Sequence, residues 1–151
     1  MLEQRRWGRV LVGVVIACGG LACAFGEFRP SDPMGREFSL SEAHKAYSDA
    51  VRWSKFDEAS GFIAPDQRTA YLAQMPDFAA GRFTDWTAGA WEFDDPETRT
   101  RATIKVTYRG YAMDNPIEFK VSEQQTWSRE DRGNNWQVES KFTGLGQFGG
   151  G

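Results

Sequence analysis

The chain has 151 residues, of which 40% are hydrophobic and 26% charged, a balance typical of one globular domain rather than of a disordered protein. Its 18 basic and 21 acidic side chains give a net charge of −3, which argues against a nucleic-acid-binding protein with a basic face. Both cysteines lie within the first 23 residues and the chain has one histidine, so a thiolate or histidine metal site and a Ser-His-Asp relay are hard to assemble in the folded part. We therefore expect no cofactor, no metal and no nucleic-acid partner.

The N-terminus has the composition of a secretory signal. Three arginines among the first nine residues precede an uncharged run over residues 10–26, and only residues 10–17 of this run are strongly apolar. A membrane-spanning helix needs about 20 apolar residues, so the run is short for a transmembrane anchor. A basic start followed by a brief apolar stretch is typical of a signal peptide.

Four residues at the end of this stretch resemble the lipobox of bacterial lipoproteins. The sequence VIAC, ending at Cys18, places an aliphatic and a small residue before a cysteine, and GLAC, ending at Cys23, is a poorer second match. The resemblance implies a signal peptide over residues 1–17 and acylation of Cys18 by chains such as palmitate. The two prolines, two glycines and mixed charges of residues 24–37 predict a flexible tether after the lipidated cysteine, over residues 18–37. The resemblance further implies a lipid-anchored protein of the bacterial cell envelope, with its domain outside the cytoplasm. A plain signal peptide and an uncleaved anchor are the alternatives.

The folded part begins with helical patterns. The sequence SLSE, starting at Ser39, matches a capping box and predicts the start of a helix. A second short helix is predicted over residues 57–61, and a third begins at Pro65 and is stopped by Pro76. The apolar stripe predicted for the first helix consists of Leu40, Ala43, Tyr47, Ala50, Val51 and Ser54.

From Gly81 onward the pattern is that of β-strands. An aromatic-rich strand over residues 82–93 is followed by three alternating segments separated by short turns, which predicts antiparallel pairing. Because the helices precede the strands, we expect an α+β domain over residues 38–143, with the helices on one face of the sheet and a flexible glycine-rich tail over residues 144–151. The residues predicted to face inward are Ala102, Ile104, Val106, Tyr108, Ile117, Phe119, Val121, Trp127, Trp136, Val138 and Phe142.

This order of elements resembles the nuclear transport factor 2-like (cystatin-like, SnoaL-like) superfamily. The likeness lies in a long first helix containing AHKAYSDAVRW and in long antiparallel strands that end in a tryptophan-led strand, and it covers residues 38–142. It implies a curved sheet and a cone-shaped domain whose mouth can hold a small molecule. Members of the superfamily include small lipoproteins, ligand binders, and enzymes such as ketosteroid isomerase and scytalone dehydratase, and they often dimerise through their sheets.

One strand interrupts its apolar alternation. Glu123 and Gln125 lie between Val121 and Trp127, at positions of the same parity. If the register is unbroken, both polar side chains face the interior of the cone and could contact a ligand together with Tyr47. A buried carboxylate there would have a raised pKa and could act as a base.

The first helix carries two candidate partners for that carboxylate. His44 and Tyr47 are three residues apart and could supply a second proton or a hydrogen bond. A β-bulge near Ser122 would instead reverse the parity and place Glu123 in solvent. We expect this second outcome, which leaves the protein without a catalytic residue.

Two further groups are predicted to be structural. The acidic segment from Glu92 to Glu97 lacks the ligand spacing and central glycine of a calcium loop, so we expect a solvated turn. The strand tryptophans are expected to fill the core and the sheet face, with a carbohydrate-stacking surface as the alternative. These tryptophans are Trp86, Trp91, Trp127 and Trp136.

The leading hypothesis is a non-enzymatic, membrane-anchored envelope lipoprotein whose domain binds a protein partner or a small apolar ligand. The first rival is an isomerase-like or dehydratase-like enzyme that uses Glu123 with His44 or Tyr47. The second is a structural protein that pairs through its sheet, as a homodimer or with an envelope partner. A filled interior would favour a structural role, and an open cone with Glu123 and His44 converging would favour the enzyme.

Overall fold

The structure is a computed structural model that describes residues 35–77, 79–129 and 134–148. The predicted signal peptide, Cys18, Cys23 and nearly all of the predicted tether lie outside these residues. The described elements, in chain order, are the α-helices Arg36–Arg52 (α1), Phe56–Ser60 (α2) and Arg68–Gln74 (α3), the strands Gly81–Ala88 (β1), Glu92–Phe93 (β2), Arg101–Ala112 (β3), Asn115–Ser128 (β4) and Gln137–Thr143 (β5), and a 3-10 helix, Leu145–Phe148.

The strands form a five-stranded antiparallel sheet in the order β1-β3-β4-β5, with β2 paired to β3 along the same edge as β1. Its centre is the long hairpin of β3 and β4, whose register is continuous from Arg101 opposite Ser128 to Gly110 opposite Phe119. The predicted inward side chains of β3 are all buried, which confirms the alternation. The chain is thus an α+β protein with its helices ahead of an antiparallel sheet.

Helix α1 packs on the apolar face of the sheet. Leu40, Tyr47 and Val51 of its predicted stripe are fully buried, and the same helix face also buries His44 and Ser48. The segment after α2 lies along the free edge of β5, where the Val138 amide donates to the Phe62 carbonyl at 2.9 Å. The helices therefore cover one face and part of one edge of the sheet.

The helix boundaries differ from those predicted. Helix α1 begins at Arg36, so it includes the end of the predicted tether, and no side chain caps its N-terminus. The Ser39 hydroxyl is not a cap; it donates to the Arg36 carbonyl and accepts from the Trp136 indole, both at 2.9 Å. Helix α3 begins at Arg68 rather than at Pro65, because residues 65–67 form a turn.

Three expectations for the strands and tail are wrong. The predicted aromatic strand is divided into β1 and β2 by residues 89–91. Ile117 is 71% exposed, because it lies near the turn between β3 and β4, where β4 extends past the end of β5. Phe148 belongs to the core rather than to a loose tail: its ring lies 5.0 Å from that of Phe83 and 4.8 Å from that of Phe119.

Candidate functional site

Glu123 faces the interior of the domain and is 0% exposed. Its strand is paired without a register shift on both sides there, opposite Val106 of β3 and Phe142 of β5. The expectation of a bulge near Ser122 that exposes Glu123 is therefore wrong. A strand held by two continuous ladders has no place for the extra residue that a bulge requires.

Four side chains donate hydrogen bonds to the Glu123 carboxylate. Tyr47 and Ser140 donate to Oε1 at 2.6 and 2.5 Å. Tyr108 and Gln125 donate to Oε2 at 2.9 and 2.7 Å. These donors match the acceptor capacity of an ionised carboxylate, and no ion pair among the described residues includes Glu123. The carboxylate thus accepts from neutral donors of α1, β3, β4 and β5.

The orientation of the Gln125 amide is set by its neighbours. The Trp127 indole can only donate, and it lies 2.9 Å from Gln125 Oε1. The amide nitrogen therefore points to Glu123 and, at 3.3 Å, to the Ser48 hydroxyl. His44 Nδ1 also lies 2.9 Å from Gln125 Oε1, so this nitrogen carries a hydrogen.

His44 is 6% exposed and is surrounded by indole rings. Its ring centroid lies 5.3 Å from that of Trp86, 5.1 Å from Trp91 and 6.3 Å from Trp127. Burial lowers the pKa of His44, and Nε2 has no hydrogen-bond partner among the described residues. The ring is therefore neutral near pH 7, with its tautomer set by Gln125.

Burial also dominates the electrostatics around the carboxylate. It raises the pKa of Glu123, while the hydrogen bonds from Ser140 and Tyr47 act in the opposite direction. It raises the pKa of Tyr47 and Tyr108 well above the usual value, and the nearby Glu123 charge adds to this effect. Both phenols therefore stay protonated and act as donors. We call Glu123, its four donors Tyr47, Tyr108, Gln125 and Ser140, and the adjoining His44 and Ser48 the buried polar network.

A surface groove reaches the buried polar network from one side. It lies between α3 and β5 and has a volume of about 440 Å³. Ser140 belongs to both features, because it lines the groove and donates to Glu123. The groove is lined by Ile63, Gln67, Ala70, Tyr71, Gln74, Glu139 and Ser140.

The structure thus brings together the four predicted candidates Glu123, Gln125, His44 and Tyr47, although His44 contacts the carboxylate only through Gln125. Sequence reasoning missed three other members. Tyr108 was assigned to the apolar core, and Ser48 follows His44 by one helical turn on the buried face. Ser140 lies at an inward position between Val138 and Phe142, which is the same signal that identified Glu123.

The groups predicted to be structural are found as follows. Trp127 and Trp136 are buried as expected, while Trp86 and Trp91 are half-buried against His44. The acidic segment after β2 is a turn whose Asp95 carboxylate accepts from a backbone amide at 2.8 Å. In the described part of the chain, no cluster of three or more potential metal-ligating side chains occurs, and no helix is long and apolar enough to cross a membrane.

No protein-family model and no curated protein matches the chain. The chemistry available to the site is therefore judged from its geometry. A general base has to lie within hydrogen-bond reach of the proton that it removes. The Glu123 carboxylate is enclosed by protein donors, whereas the groove beside Ser140 is open to solvent. The groove is the part of the site that a ligand can enter.

Proposed function

We propose that the protein is a non-enzymatic binding protein of the bacterial envelope that holds a small ligand in the groove between α3 and β5. The observation that carries this proposal is the groove, which is open to solvent beside an interior that is filled, with Glu123 fully buried and accepting from four side chains. Ligand pockets commonly have volumes of about 300–1,000 Å³, and the groove, at about 440 Å³, lies in this range.

The enclosed carboxylate is the reason to prefer binding over catalysis. To take a proton from a substrate, Glu123 would have to lose at least one of its four donors and admit the substrate into the core. The Tyr47 and Tyr108 hydroxyls that would be displaced are themselves buried, and unpaired buried hydroxyls cost about 1–3 kcal/mol each. Within this proposal the buried polar network holds α1 on the sheet.

The proposal includes a lipid anchor and a nuclear transport factor 2-like architecture. The VIAC sequence at Cys18, after a basic and then apolar stretch, supports the anchor. Helices that precede an antiparallel sheet and cover one of its faces support the architecture. One acyl chain anchors a protein weakly, but the two or three chains of a lipoprotein cysteine hold it firmly.

Mass spectrometry of the mature N-terminus tests the anchor. We expect a lipidated Cys18 with no residue before it, and a Cys18→Ala variant that stays unprocessed. An intact Met1, or cleavage without lipid, would contradict the anchor. Neither result bears on the groove, which lies in the described domain.

Binding in the groove is tested with 2-phenylethanol, a small neutral probe, by NMR titration of the backbone amides. We expect shifts at Ala70, Gln74 and Ser140. Ala70→Trp, which fills the groove, should abolish them. Ala73→Trp is the matched control, since Ala73 is an exposed residue of α3 that does not line the groove. Equal effects of the two variants, or no shifts in the wild type, would refute binding at this site.

A further inference from the structure

The groove between α3 and β5 is rich in hydrogen-bond acceptors and contains no basic side chain among its lining residues. Gln67 and Gln74 provide amide oxygens, and Glu139, whose side chain is on the outward face of β5, is the one charged residue of the lining. Lys141 pairs with Glu139 at 2.9 Å, but both side chains are exposed, and such surface pairs are weak. The charge of the lining itself is therefore negative.

Ser140 presents an acceptor to the groove. Its hydroxyl hydrogen is directed to Glu123 Oε1, so its remaining lone pairs are what a ligand can meet. A ligand group bound to this oxygen must be a donor. A carboxylate or phosphate ligand would instead place its own oxygens against Ser140 Oγ, with the Glu123 carboxylate directly behind it.

In its ionised form, the Glu123 carboxylate behind Ser140 acts in the same direction. Glu123 accepts from neutral groups alone, and no described cation contacts it. Two successive hydrogen bonds, from a ligand to Ser140 and from Ser140 to Glu123, would place a ligand nitrogen roughly 5 Å from the carboxylate. At this separation a positive charge is attracted appreciably, because the interior has a lower dielectric constant than water.

We infer that the groove binds a small organic cation, a primary ammonium group attached to an apolar body; this inference rests on the proposed binding function. The ammonium group donates to Ser140 Oγ and to one of the two glutamine oxygens, and its third hydrogen faces the solvent at the open side of the groove. The apolar body lies against Ile63, Ala70 and the ring of Tyr71. The ligand charge favours the ionised form of Glu123, to which no described side chain supplies a positive partner.

The experiment compares three probes that share a phenyl body, by calorimetry and NMR titration with the purified chain. They are 2-phenylethylamine, which is cationic at pH 7, neutral 2-phenylethanol, and anionic 3-phenylpropanoate. We expect the amine to bind at least tenfold more tightly than the alcohol and the anion to bind more weakly than both. Equal affinities of the amine and the alcohol would overturn the inference and leave the proposed function intact. Failure of all three probes to bind would overturn both.

Charge-changing variants separate this effect from ordinary apolar binding. Gln67→Lys places a positive charge in the groove. It should weaken the binding of the amine about fivefold or more and should change the affinity for the alcohol by no more than about twofold. Thr87→Lys, an exposed position of β1 at the other edge of the sheet, is the matched control and should change neither. A loss of amine binding as large in Thr87→Lys as in Gln67→Lys would overturn the inference.

Removal of the Ser140 hydroxyl gives a second, independent check. Ser140→Ala should lower the affinity for the amine severalfold, since the acceptor nearest to Glu123 is lost. Ser122→Ala makes the same chemical change on the other face of β4 and should leave amine binding unchanged. Amine binding that is unaffected by Ser140→Ala would place the ammonium elsewhere and overturn the assignment.

Discussion

Replacing Glu123 by leucine is expected to destabilise the domain, although leucine restores the apolar alternation of β4 and removes a buried charge. The change deprives four donors of their acceptor. Ser140 can turn toward the groove, but Tyr47, Tyr108 and Gln125 are buried and lose about 1–3 kcal/mol each. Burial of the leucine side chain returns about 2 kcal/mol. The net loss is about 4 kcal/mol, a large part of the 5–15 kcal/mol that is typical of a whole domain.

The assay is urea denaturation of the wild type and of two variants at position 123. Glu123→Gln keeps one oxygen for Tyr108 and Gln125, so its loss should be smaller, about 1–2 kcal/mol. A double-mutant cycle with Tyr108→Phe isolates the mechanism. Tyr108→Phe should cost about 1 kcal/mol in the wild type and nothing in the Glu123→Leu background, because there it removes a hydroxyl that has already lost its acceptor. Wild-type stability of Glu123→Leu, or the same cost of Tyr108→Phe in both backgrounds, would refute the reasoning.

Three further measurements test the electrostatics and packing. Because burial raises the pKa of Glu123, the folded state binds the carboxyl proton more tightly than the unfolded state does. The unfolding free energy of the wild type, relative to that of Glu123→Gln, should therefore fall as pH rises above 4.5. A difference between the two unfolding free energies that stays constant to about pH 8 would contradict this. Phe148→Ala should cost about 3 kcal/mol in a urea melt, against less than about 0.5 kcal/mol for the exposed Ile117→Ala. Gly110→Ala should cost about 2 kcal/mol or more, because the added Cβ would lie 2.5 Å from a carbonyl oxygen of β1. Gly146→Ala is the control and should be nearly neutral, because Gly146 has open space around it. Equal costs of the two variants would show that the backbone at Gly110 moves to accommodate the Cβ.

The fold class follows from local patterns that the sequence states clearly. The alternation of β3 and the stripe of α1 both reflect one wet and one buried face, and both are confirmed residue by residue at Ile104, Val106 and Tyr47. The predicted start of α1, at the Ser39 capping box, was wrong because Ser39 takes part in a tertiary contact. The Ser39 hydroxyl resembles a cap in sequence, but in the fold it contacts Trp136, which is 97 residues away. A local sequence pattern contains no information about a contact between residues so far apart in the chain.

The candidate site shows the same division. The sequence identified Glu123 and Gln125 as polar residues at inward positions, but two outcomes were open, burial with partners or displacement by a bulge. The deciding information lies in Tyr47 and Ser140, which come from α1 and β5, 76 and 17 residues away in the chain. A single polar residue at an inward position indicates only a break in the apolar alternation of one strand. Several of them on adjacent strands, including Ser140 opposite Gln125, indicate a buried network.

The buried polar network also explains why α1 has one position on the sheet. An apolar stripe alone tolerates a helix that slides by one turn, about 5.4 Å, because one aliphatic side chain can replace another. Such a slide would carry the Tyr47 hydroxyl from 2.6 Å to beyond hydrogen-bond reach of Glu123, and His44 from 2.9 Å to beyond reach of Gln125. Each broken contact leaves a buried donor or acceptor unpaired, so the alternative register is disfavoured by several kcal/mol. The same fixed geometry holds the Ser140 hydroxyl in one orientation at the groove, and a ligand that binds there meets an acceptor set in advance by the core.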